Sequence, residues 1–180
     1  MQDLADILAD VSKRLDAAAI PFMVTGAVAQ NYYAVERMTA DIDIVVELGI
    51  DDVSQVAAEF ERDYYVSRES ILSAVHNRSQ FNLIHLESII KVDCILKKDT
   101  EYAETAFRRR QSAEVAGART FMATKEDLIL SKLLWAKLSD SELQVRDLRH
   151  LLSTGYDLSY LGSWAERLGV ADLLARCRRG

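Results

Sequence analysis

Residues 41–46 read Asp41-Ile42-Asp43-Ile44-Val45-Val46, two acids alternating with β-branched residues. Such residues favour a pleated strand, whose successive side chains point to opposite faces. The two carboxylates therefore project side by side from one face, while Ile42 and Ile44 enter the core from the other. Like charges held that close raise each other's pKa unless a cation lies between them. Hard oxygen ligands with few fixed protein donors suit Mg²⁺. An edge strand with its polar face in water would show the same pattern, so the pair gains meaning from its neighbours.

Upstream, Pro21-Phe22-Met23-Val24-Thr25 reads as a short buried strand stopped by Gly26, and Ala27 to Tyr33 suits a short helix. A strand–glycine–helix turn aims backbone N–H groups at an anion, which makes Thr25, Gly26 and Ala27 candidates for contact with phosphate. Downstream, Ile89-Ile90-Lys91-Val92-Asp93-Cys94-Ile95-Leu96 carries an acid inside an apolar strand, where it needs a partner. Placed beside residues 41–46, Asp93 supplies a third carboxylate. Three carboxylates can hold metal ions, position a triphosphate and take a proton from an attacking hydroxyl. Alternatively Asp93 forms an ordinary salt bridge with Lys91, which lies two residues away on the same face. Arg37-Met38-Thr39 precedes the acid pair and brings a cation within reach of a phosphate held there.

The surrounding elements follow from periodicity and turn chemistry. Leu4, Ile7, Leu8, Val11 and Leu15 predict an amphipathic helix over 3–18. Asp51 is expected to cap a helix reaching about Arg62, and Phe81–Leu86 and Ile89–Leu96 are expected to be strands joined at Glu87-Ser88. A helix over 101–110 and short strand structure over Glu114–Met122, broken at Gly117, complete a mixed α/β (α+β) domain over residues 1–123. It is expected to hold a mixed β-sheet flanked by helices.

Residues 124–180 read as a C-terminal helical region packed on that domain. Thr124 with Asp127 resembles a capping box, a second helix starts at Asp140 or Ser141, Asp157 caps a third, and a short fourth starts near Asp172. Lys132 lies on a helix that is apolar nearly all round. It calls for an anion, either a substrate phosphate or Asp147, or else snorkels to water. Asp147, between Arg146 and Arg149, could equally form a helix-surface ion pair. Trp135, Trp164, Tyr156 and Tyr160 fall at helix positions that favour core packing, and Arg108 to Arg110 read as a solvated helix end.

Bulk properties narrow the function classes. The chain has 180 residues, 49% hydrophobic and 28% charged, with a net charge of -6, which argues against a broadly basic nucleic-acid binder. Cys94 and Cys177 lack the spacing of a zinc site or a disulfide framework. The acidic first turns are unlike a signal peptide, and no segment reaches the roughly 20 apolar residues of a membrane span. The expectation is a soluble, cytoplasmic protein with no membrane role.

Val24-Thr25-Gly26-Ala27, a thirteen-residue spacer, Asp41-Ile42-Asp43-Ile44 and a later Asp93 together resemble the signature of the polymerase-β-like nucleotidyltransferase superfamily. The Arg-x-Thr-x-Asp-x-Asp form of Arg37, Thr39, Asp41 and Asp43 is similar to the abortive-infection toxin (AbiEii-like) branch. The segments Thr124–Leu134 and Arg146-Asp147-Leu148 resemble those that follow the catalytic domain there. Ala27 departs from the pattern, standing where the family usually has Gly or Ser. The resemblance implies the nucleotidyltransferase fold, an NTP donor, release of pyrophosphate, and two Mg²⁺ ions (or Mn²⁺) held by Asp41, Asp43 and Asp93. It also implies nucleotide contacts from Thr25, Gly26, Ala27, Arg37, Thr39, Lys132 and Asp147. The acceptor it implies is a hydroxyl of RNA (tRNA included), of a protein or of an antibiotic-like small molecule, with a cognate antitoxin as partner for a toxin. A homologue that keeps the fold for binding alone is the alternative.

Overall fold

The computed structural model describes residues 3–34, 39–139 and 142–179. Its first helix, α1 (Leu4–Ala17), is capped by Asp3, whose carboxylate accepts from the N–H groups of Ala5 and Asp6. Five strands and three helices follow in the order β1 (Phe22–Thr25), α2 (Gly26–Tyr33), β2 (Asp41–Val46), α3 (Val53–Phe60), β3 (Tyr64–Tyr65), α4 (Arg68–Asn77), β4 (Gln80–His85) and β5 (Lys91–Leu96). Then come α5 (Glu101–Arg108), the strands β6 (Gln111–Val115) and β7 (Ala118–Met122), and the helices α6 (Lys125–Ser139), α7 (Glu142–Leu152), α8 (Leu158–Arg167) and α9 (Ala171–Arg178). The expected starts of α7 at Asp140 or Ser141 lie outside the described residues.

The seven strands form one mixed sheet in the order β3-β4-β5-β2-β1-β7-β6. The β2–β5 and β1–β7 pairs are parallel and the others antiparallel. In the central strands the inward residues Val24, Ile42, Ile44, Val92 and Cys94 are fully buried. They share one apolar cluster with Ile7 and Val11 of α1, Phe60 of α3 and Ile71 of α4. The same cluster takes in Leu128, Leu133, Leu148, Leu161 and Leu174 of the C-terminal helices. On the other face, Met23 and Val45 pack with Phe107 of α5 and Ala123. Among the described residues no helix is long and apolar enough to cross a membrane.

Some local expectations are revised. A short 3₁₀ turn at Ile50–Asp52 precedes α3, and Asp52 rather than Asp51 closes it, accepting from the Gly49 N–H at 2.8 Å. The strand structure around Gly117 is a full hairpin, with Ala116 and Gly117 at φ 48° and 71°. β3 and α4 had no sequence expectation; Ser67 caps α4 by accepting from Ser70, and only Ile71 and Ala74 bury in it. Trp135 is 66% exposed rather than part of the core, whereas Trp164 is buried.

Arg109 is not a solvated helix end. Its Nε donates to Asp127 Oδ2 at 3.2 Å, and its guanidinium lies 3.8 Å from the centre of the Tyr160 ring. Buried Asp127 also accepts from Thr124 Oγ1 at 2.6 Å and from the Tyr160 hydroxyl at 2.7 Å. One carboxylate thus ties the end of α5, the start of α6 and α8 together. Removing it leaves three donors without their acceptor. Asp127→Ala should lower the unfolding free energy by about 3 kcal/mol in urea titrations, with the Asn variant intermediate.

Candidate active site

The parallel register of β2 with β5 pairs Asp43 with Asp93, and the antiparallel registers on either side pair Thr25 with Asp43 and Asn82 with Asp93. Thr25, Asp43, Asp93 and Asn82 thus form a polar row across four adjacent strands. Residues directly opposite in a sheet share a face, so these side chains stand together. Asp41 is two residues before Asp43 and projects from the same face, opposite Lys91. The sequence expectation that β2 and β5 lie side by side with their acids on one face is met.

Gly26 opens α2 at φ 64°, a left-handed conformation that L side chains rarely adopt. It also makes room: a Cβ there would stand 1.9 Å from Asp43 Oδ2 and 2.6 Å from its Cγ. The glycine therefore brings the start of α2 into contact with the Asp43 carboxylate. Thr39 braces the other end of the motif, its hydroxyl donating to the Asp41 carbonyl at 3.1 Å and accepting from the Asp41 N–H at 3.4 Å. Ala27 is buried. Arg37 lies outside the described residues.

Charge is unevenly balanced at the centre. Burial raises the Asp43 pKa, the carboxylates of Asp93 and Asp41 raise it further, and the ammonium groups of Lys132 and Lys91 oppose the rise. Lys91 Nζ stands 3.0 Å from Asp93 Oδ2 and 3.8 Å from Asp41 Oδ2. The salt-bridge alternative for Asp93 and a place for Lys91 at the site are therefore both realised. With its side-chain amide oriented to donate, Asn82 gives Asp93 Oδ1 a hydrogen bond of 2.7 Å. Sequence reasoning missed Asn82; the polar-apolar alternation of Gln80-Phe81-Asn82-Leu83 places it on the right face but says nothing of its partner.

Lys132 reaches this neighbourhood from α6. It is buried, as is Asp147 on α7, and the two form an ion pair at 3.0 Å. Of the alternatives open for Asp147, the surface pair with Arg146 or Arg149 is overturned: the side chain is 1% exposed and faces Lys132. Snorkelling of Lys132 is likewise excluded. Gln144 Oε1 lies 3.4 Å from the same ammonium.

Among the described residues no three Asp, Glu, His or Cys side chains are gathered into a ready-made metal cage. The donor set nevertheless fits a hard divalent cation. Asp43 is flanked by two carboxylates that raise its pKa, a conflict that a cation among them relieves.

No family model matches the sequence, and no curated protein matches it significantly. Solved structures do. The antibiotic-resistance factor ANT(2'')-Ia superposes with a TM-score of 0.60 at 16% identity, over 97% of this chain and 92% of that one. An antigenic nucleotidyltransferase-like protein from Paracoccidioides brasiliensis gives 0.56 at 13% identity, over 97% and 92%. The lincosamide antibiotic adenylyltransferase LnuA gives 0.55 at 12% identity, over 80% and 93%. The chain has the nucleotidyltransferase fold.

Two expectations test the centre. Gly26→Ala drives a methyl group into the Asp43 carboxylate at a left-handed backbone position. It should cost about 2 kcal/mol or more of stability in chemical denaturation. The raised Asp43 pKa means that the native chain keeps a proton there which the unfolded chain has already released. Stability therefore falls as pH rises from the ordinary aspartate value through the raised native one. Without added metal, Asp43→Asn should melt above the wild type at neutral pH. The gap should close as the pH drops through that interval, as thermal unfolding across the acid range will show.

Proposed function

We propose that this chain is a divalent-metal-dependent nucleotidyltransferase that moves NMP from an NTP to an acceptor hydroxyl and releases pyrophosphate. The observation that carries this reading is the in-register row of Thr25, Asp43 and Asp93 against Gly26, on a sheet with the nucleotidyltransferase fold.

Asp41 and Asp43 are the residues to hold the metal, with Asp93 completing the set. Such an ion supplies neutralising charge for the triphosphate and for the departing pyrophosphate. The Asp93 carboxylate, steadied by Asn82 and Lys91, takes the proton from the acceptor hydroxyl as its oxygen bonds to the α-phosphorus. The bond from that phosphorus to the bridging oxygen breaks as pyrophosphate leaves. Gly26, with Thr25 and Ala27 beside it, lets the start of α2 approach the phosphates closely. Lys132, held by Asp147, adds positive charge that already acts on Asp43, and Arg37, two residues before Thr39 in the sequence, is the further cation that the motif offers.

ANT(2'')-Ia has been solved with adenylyl-2''-tobramycin and LnuA with lincomycin, which favours a small hydroxylated acceptor here. RNA and protein acceptors, with an antitoxin partner, belong to the toxin-like branch that the motif resembles. The test offers each α-labelled NTP with Mg²⁺ or Mn²⁺ to three acceptor pools: hydroxylated antibiotics and metabolites, total RNA, and lysate protein. Label should pass to one pool, and Asp43→Asn should reduce the rate by about a hundredfold or more. Absence of transfer in every pool, together with absence of metal-dependent NTP binding, would leave the fold as a binding module without this chemistry.

A further inference from the structure

Lys91 is part of the carboxylate centre by construction. It is the register partner of Asp41, and it precedes Asp93 by two residues, so both acids share its face. The two contacts are unequal. The ammonium is docked at 3.0 Å on Asp93, whose side chain is 14% exposed, and leans at 3.8 Å toward Asp41, whose side chain is 51% exposed.

Resting on the transferase reading above, we propose that Lys91 is a resident counter-cation that makes divalent metal binding depend on bound nucleotide. A carboxylate that already faces an ammonium offers less net negative charge to an incoming metal ion. Two cations crowded against the partly buried Asp93 also repel each other. Free metal therefore meets a centre whose charge is partly neutralised.

A triphosphate changes both sides of that contest. Its oxygens add ligands to the metal, and its negative charge gives the Lys91 ammonium a new anion to face. The long Asp41 contact is the one surrendered, while the shorter Asp93 contact persists. Together with the hydrogen bond from Asn82 it keeps that carboxylate aimed into the centre. By linkage, nucleotide tightens metal binding by the factor through which metal tightens nucleotide binding.

The experiment titrates Mn²⁺ into the whole chain and counts the free ion by electron paramagnetic resonance. It is run with and without a non-hydrolysable NTP analogue, whose own Mn²⁺ affinity is measured separately and subtracted. Wild type is expected to bind Mn²⁺ at least about tenfold more tightly with the analogue. Lys91→Met should bind Mn²⁺ alone at least about tenfold more tightly than wild type and lose most of the coupling, and Lys91→Arg should keep the wild-type pattern.

Equal or weaker Mn²⁺ binding by Lys91→Met, or a wild type indifferent to the analogue, overturns the proposal. Where Lys91→Met fails to fold, Lys91→Gln serves as the second variant and is held to the same outcome. A failed Mn²⁺ pattern with successful label transfer sinks this inference alone. A sound Mn²⁺ pattern without label transfer upholds the metal–nucleotide coupling proposed here and counts against the transfer step alone.

Discussion

Asp43 and Asp93 come from strands about fifty residues apart in sequence, yet the sheet sets them directly opposite each other on one face. Everything around them answers the repulsion that follows. Gly26 gives up a side chain so that Asp43 can lie against the start of α2, Lys91 and Asn82 hold Asp93 from the other side, and Lys132 is fixed by Asp147 within electrostatic reach. A centre where carboxylates crowd in this way is suited to a charged ligand, because a cation bound among them relieves their repulsion.

The hydrophobic pattern explains why this arrangement holds. The alternation of Asp41-Ile42-Asp43-Ile44 against Lys91-Val92-Asp93-Cys94 keeps every aliphatic group inward in the observed register. A one-residue slip of β2 would send Ile42 and Ile44 to the polar face and bury Asp41 and Asp43 in their place. The same burial that stabilises the sheet thus holds the acids on one face. Farther along the same face, Met23 and Val45 lie under Phe107, so apolar packing begins where the carboxylates end.

Much of this was legible in the sequence. The β-branched runs at 41–46 and 91–96 announced strands, the alternation assigned faces, and Gly26 after Thr25 marked the turn. Strand neighbours across long separations are not a local property, so neither Asn82 nor the contact of Asp43 with Gly26 could be read there. Lys132 and Asp147 were visible as buried-charge problems, but their pairing depends on how α6 meets α7. Arg109 and Trp135 erred in opposite directions. A cluster of arginines reads as solvent-facing although Asp127 and Tyr160 enclose one of them, and a tryptophan on an apolar helix reads as core although its position on α6 faces water.

The parallel pairing of β2 with β5 also bears on when the carboxylate row forms. Between these strands the chain must travel through α3, the short β3, α4 and β4 before it returns. Such a non-local contact closes late, since loop entropy opposes it until intervening elements have formed. A chain still emerging from the ribosome carries Asp41 and Asp43 before Asp93 has been added. The carboxylate row is therefore a product of the closed β2–β5 pair and of no shorter stretch of the chain.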